Sequence, residues 1–182
     1  YQEANVKIPK DIAGIMLSAI LSDTLLFKSP TTTEMDKEVG EELARIAGLD
    51  ILEYGTKMFK AASSVAGLSV EEIINTDCKT FKYGDSNMAI GQVITMDIKE
   101  VLNEKDEYIE LLNNVTKNNN YLFVCLFVTD ILENGTYVLY SDRAKEILES
   151  AFSIKNIKQG HFLKGIISRK KQILPVLMND ME

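Results

Sequence analysis

Apolar residues recur at helical spacing through Ile12, Ile15, Met16, Ala19 and Ile20, and Pro9 suits a first helical position, which predicts a helix over residues 9–26. Leu17, Leu21, Leu25 and Leu26 make it apolar nearly all round, as in a helix enclosed by a larger body. Ser29-Pro30-Thr31-Thr32-Thr33 breaks it, and Thr33 or Thr31 with the acids that follow caps a second helix ending at Gly48. Asp50 with Glu53 repeats the capping-box spacing and opens a third helix to Ala62. Small residues then collect without periodicity in Ser63-Ser64-Val65-Ala66-Gly67, the best linker in the chain. The expected division is residues 1–65 and 66–182.

Beyond the linker the grammar changes. Ser69 to Glu72 caps a short helix, Lys79 to Tyr83 alternates like a strand, and Gly84-Asp85 turns into a second strand through Gln92, Val93 and Ile94, which makes a hairpin. Asp97 and Glu100 cap a longer helix to Lys117, and the apolar run Tyr121 to Val128 has the length of a buried strand. Asn134-Gly135 is a strong turn signal before a strand over Thr136 to Tyr140. A helix through Ala144, Ile147 and Leu148 follows, and Gly165 to Ile167 and Ile173 to Leu177 read as the last strands. Alternating strands and helices predict an α/β fold, a sheet with helices packed on it, preceded by the three helices.

Composition narrows the partners. The 182 residues are 46% hydrophobic and 26% charged, within the globular range, and the net charge of −7 argues against nucleic acid. Cys78 and Cys125 are far apart and suggest neither a disulfide framework nor a zinc site. Lys7 and Lys10 before the apolar run imitate a signal peptide, but no small-residue cleavage site follows and Asp23 interrupts the run, which is too short to span a bilayer. A cytoplasmic protein without a membrane partner is expected. Tyr1-Gln2-Glu3-Ala4-Asn5 resembles the last turn of an element, which suggests a truncated chain.

Two features stand out chemically. Ser168-Arg169-Lys170-Lys171-Gln172 sets three consecutive cations between apolar segments of an acidic protein. A solvated edge that blocks strand pairing and a phosphate grip explain it about equally. Asp23 is an acid in an apolar helix, which fits metal coordination or, slightly better by pattern alone, a helix end facing water or paired with Lys28. Lys79 is locally an ordinary surface lysine, and His161, the single histidine, a partly exposed loop residue. Gly160 and Gly165 have the outer spacing of a P-loop, but Ile166-Ile167 replace its Lys-Ser/Thr pair.

Taken together, the segments Ala19 to Thr31, Thr129 to Asn134 and Ser168 to Gln172 closely resemble the family II, manganese-dependent inorganic pyrophosphatases of the DHH superfamily. The resemblance covers the whole chain and implies a C-terminal DHH-associated domain, residues 66–182, that binds substrate. Residues 1–65 would be the helical end of the DHH metal-binding domain. It further implies that Asp23 ligates one metal and that Lys79, Arg169 and Lys170 grip pyrophosphate. The implied cofactor is Mn²⁺ or Co²⁺, with Mg²⁺ accompanying the substrate, and a homodimer is a possible assembly of the full-length enzyme. The family's HxGxDxD and DHH segments have no counterpart here, so the chain is expected to be inactive without a DHH domain, and its first helix to expose apolar surface. Two other readings stay open: a non-catalytic phosphate- or pyrophosphate-binding module, and a piece of a DHH enzyme acting on polyphosphate or nucleotides.

Overall fold

A computed structural model describes residues 1, 3–62 and 67–179, and the chain divides into two compact units, residues 1–62 and 63–182. All but Gly67 of the expected linker lies outside the described residues.

The first unit holds helices α1 (Lys10–Thr24), α2 (Glu34–Ala47) and α3 (Ile51–Ala62), with α1 packed on the other two. Local chemistry sets their ends. Thr33 Oγ1 accepts from the Asp36 N–H while the Asp36 carboxylate accepts from the Thr33 N–H, a capping box that holds this carboxyl below the usual range. Gly48 closes α2 at φ 67°, a left-handed conformation that glycine adopts without strain. The first helix is shorter than the expected 9–26, because Leu25, Leu26 and Phe27 all turn left-handed. This costly geometry has a packing reason. It seats Phe27 and Leu26 against glycines: a Cβ on Gly40 would meet Phe27 Cζ at 2.6 Å, and one on Gly55 would collide with Leu26. As expected, α1 leaves apolar surface open, with Ile15 67% exposed.

The second unit is built on one mixed sheet of β1 (Cys78–Tyr83), β2 (Ser86–Thr95), β3 (Val124–Asp130), β4 (Gly135–Tyr140) and β5 (His161–Lys164), in spatial order β1-β2-β3-β4-β5. β1 and β2 form the expected hairpin. β2 and β3 run parallel, which requires a crossover, and helices α5 (Lys99–Leu102) and α6 (Lys105–Asn118) supply it. β3 pairs antiparallel with β4, and β4 with β5. Side chains alternate across β3, every residue of which is buried. Val124, Leu126 and Val128 pack with α4 (Val70–Thr76), α5 and α6 on one face. Phe123, Cys125 and Phe127 pack on the other with α7 (Lys145–Ala151) and α8 (Leu174–Asn179).

Several expectations need correction. The helix expected from Asp97 to Lys117 is broken at Asn103-Glu104, where Glu104 leaves helical geometry at φ −106°, ψ 15°. β3 begins and ends later than the run Tyr121 to Val128. Gly135 starts β4 directly, and its missing side chain makes room for the Phe162 ring. The two expected last strands do not exist. The last strand is β5, ahead of Gly165, and Ile173 to Leu177 is helical: one π-helical turn over Arg169–Ile173 leads into α8. Pro175 explains why. It has no N–H to give a sheet, and its ring would clash with the carbonyl four residues back in a tight α-turn, so the chain widens just before it. Ile173 and Leu177, four apart and fully buried, form the helix's inner face.

Candidate phosphate-binding site

The basic island leads into this last helix rather than joining two strands, and each residue of Ser168-Arg169-Lys170-Lys171-Gln172 has a separate task. Ser168 caps the turn, its Oγ accepting from the Lys171 N–H at 3.3 Å. Gln172 folds back over the preceding loop, where its Oε1 accepts from the N–H groups of Ile167 at 3.0 Å and Ser168 at 3.1 Å, and its Nε2 donates to the Gly165 carbonyl at 2.7 Å. Lys170 and Lys171 are exposed.

Arg169 instead turns inward, its side chain only 9% exposed. Nη1 donates to the carbonyls of Asp77 at 2.7 Å and Ile90 at 3.0 Å, and Nη2 donates to both carboxylate oxygens of Asp77 at 2.8 Å each. Burying a guanidinium is costly unless its donors are met, and a bidentate carboxylate matches the planar fork. The Arg169 backbone N–H donates to Gln92 Oε1 at 3.3 Å, while Gln92 Nε2 donates to Thr129 Oγ1 at 2.9 Å and to the Ile167 carbonyl at 3.1 Å. Thr129 Oγ1 lies 2.9 Å from Thr136 Oγ1, and Thr136 donates to the Ile166 carbonyl, 2.5 Å away. A polar row across β2, β3 and β4 thus ties down the loop ahead of the cations.

Asp77 immediately precedes β1, and its side chain is 46% exposed. Lys79, one residue into the strand and 62% exposed, places Nζ 3.9 Å from Asp77 Oδ1. The structure therefore brings Lys79 and Arg169 to one carboxylate and carries Lys170 on the adjoining turn. Cys78 lies between Asp77 and Lys79, and burial pushes its thiol up, opposed by the Arg169 charge and reinforced by Asp77. It is an uncharged thiol near neutrality and a poor nucleophile.

Asp23 belongs to the other unit, exposed in the last turn of α1. His161 opens β5 opposite Val138, half-buried. Among the described residues no group of three or more His, Cys, Asp or Glu side chains is arranged to hold a metal, so these residues do not by themselves fit a metal centre. Asp77 and Gln92 are contributors that sequence reasoning left without a role. A signal existed for Gln92, a polar residue at an inward position of a buried strand.

The mixed sheet layered between helices and the sequence that builds it place the chain in the DHHA2 domain family, to which it belongs: the family model matches residues 56–179. Over its full length the chain is 44% identical to a manganese-dependent inorganic pyrophosphatase of Bacillus subtilis, and equally to a protein of Lactobacillus delbrueckii subsp. bulgaricus assigned the same activity. It spans 59% of the length of each of these curated relatives. A crystal structure from Methanococcus jannaschii, assigned to the family II inorganic pyrophosphatases, superposes with a TM-score of 0.81 at 43% identity, covering 97% of this chain and 57% of that one. In the described residues no helix is long and apolar enough to cross a membrane.

Proposed function

We propose that this chain is the substrate-gripping portion of an inorganic pyrophosphatase, in which Lys79, Arg169 and Lys170 hold pyrophosphate while it is hydrolysed to two phosphates. The observation that carries this reading is the convergence of Lys79 and Arg169 on Asp77 beside the exposed Lys170, in a chain similar along its whole length to named pyrophosphatases. Phosphoryl transfer is catalysed largely by positioning and by neutralising the charge on the transferred and departing groups. The two lysines supply compact ammonium charges at the surface, and Arg169 adds a fixed charge behind them. A metal would supply the activated water and polarise the phosphorus under attack. Manganese is named for the relatives. In this proposal Asp23 gives one carboxylate to that centre, residues 1–65 belong to a DHH metal-binding domain, and the remaining ligands come from outside this chain. The protein works in the cytoplasm.

Complementation tests the reading. The chain is assayed for phosphate release from pyrophosphate in Mn²⁺, alone and together with the N-terminal portion of the Bacillus subtilis relative. Turnover only in the mixture is expected. Pyrophosphate binding without turnover in a mixture that demonstrably associates would leave a phosphate-binding module instead.

A further inference from the structure

We propose that Asp77 is a positioning residue of this grip, setting the spacing between Lys79 and Lys170 so that the site prefers two linked phosphates to one. The inference rests on the pyrophosphate reading above. Lys79 and Lys170 are both exposed and stand on segments remote in sequence, β1 and the turn before α8. A lysine head on a long flexible stem sweeps a wide arc, so two unconnected lysines would bind any small anion without measuring the distance between its charges. Here the segments are joined. Arg169 clasps the Asp77 carboxylate through Nη2 and the Asp77 carbonyl through Nη1, and the same carboxylate lies 3.9 Å from the Lys79 ammonium. Gln92 holds the Arg169 backbone from β2.

A carboxylate is an odd choice in a site for anions. Its charge repels the ligand and offsets the cations beside it. Meeting the Nη2 donors of Arg169, whose Nη1 goes to the Asp77 and Ile90 carbonyls, does not by itself require the carboxylate to face Lys79 as well. Nor is Asp77 withdrawn from the surface, with 46% of its side chain exposed. Alignment accounts for its exposure: the carboxylate that holds the Arg169 fork also biases the Lys79 ammonium toward it, so less side-chain freedom is lost when the ligand arrives.

The test is calorimetric titration of the full chain with pyrophosphate and, separately, orthophosphate. The unsubstituted chain should prefer pyrophosphate. Asp77→Asn should weaken pyrophosphate about tenfold, the scale of one lost charge-assisted contact, and leave orthophosphate nearly unchanged, so the preference collapses. Asp77→Glu, which keeps the carboxylate, should restore most of it, which a role confined to stability would not predict. An unchanged preference in Asp77→Asn overturns the inference, and so does tighter binding of both anions, since the carboxylate would then only compete with the ligand. If Asp77→Asn loses its cooperative thermal transition, Asp77→Ser repeats the titration. Loss of folding in both assigns Asp77 to stability alone and also overturns it. Failure of the unsubstituted chain to bind pyrophosphate overturns the reading of the site itself, whereas binding with an unmoved preference defeats only the role of Asp77.

Discussion

The two faces of the sheet use the same strands for different ends. Beneath α4, α5 and α6 the contacts are almost entirely apolar, with Ala89, Val93, Val124, Leu126, Val128 and Leu139 meeting Ile73, Ile74 and Leu112. Beneath α7 and α8 the core is also apolar at Met88, Ile90, Cys125, Phe127 and Val138, but it runs out into the polar row Gln92, Thr129 and Thr136. The first face has buried Thr95 and Asp130 at the same end, but they bond only to turns next to them in sequence, whereas the row links three strands to a distant loop. Non-directional burial holds both cores, and hydrogen bonds of fixed geometry hold the edges, but only those of the second face reach the loop that carries the cations. The cations sit where the second kind of contact takes over from the first.

The sharpest way to break this contrast is to damage each face separately. Leu126→Ala opens a cavity in a fully buried position under α6. It should lower unfolding free energy by about 2–5 kcal/mol, measured by chemical denaturation, and leave anion binding by the folded protein unchanged. Thr136→Val keeps the side-chain shape but removes the donor to the Ile166 carbonyl and the partner of Thr129. It should cost less, about 1–3 kcal/mol, and weaken phosphate binding at the same time, because the loop before Ser168 is freed. Equal effects of both substitutions on binding would show that the faces are not specialised.

Legibility in the sequence followed the same line between local and distant causes. The capping boxes at Thr33 and Ser69, the glycine stop at Gly48 and the β1–β2 hairpin were readable because each is set by residues within a few positions of one another. The helix over Leu174–Asn179 is not legible from periodicity alone. An apolar run from Ile173 to Leu177 looks like a strand until Pro175 and the four-residue spacing are weighed against it. The character of the basic island was harder still. Nothing near Arg169 in sequence marks it as buried while its neighbours are exposed, because its partners Asp77, Ile90 and Gln92 come from the far edge of the sheet. Resemblance supplied the list of cations, but the carboxylate that organises them is visible only in three dimensions.

The smallest expected effect bears on a buried polar atom without a partner beneath α6. Tyr108 of α6 is fully buried, and its hydroxyl is buried without a hydrogen-bond partner. Burial, with the nearby charges of Glu104 and Glu107, pushes the phenol up to about 12, so it remains neutral across the working range and cannot relieve its isolation by ionising. An unmade hydrogen bond is a standing cost, and removing the group that needs one is neutral or favourable where the same change at a satisfied site is not. Tyr108→Phe should therefore leave stability unchanged or raise it by up to about 1 kcal/mol, with no change in anion binding. Thr136→Val removes a hydroxyl from the opposite face and should do the reverse on both counts. A loss of more than about 1 kcal/mol in Tyr108→Phe would mean that the hydroxyl is satisfied in solution.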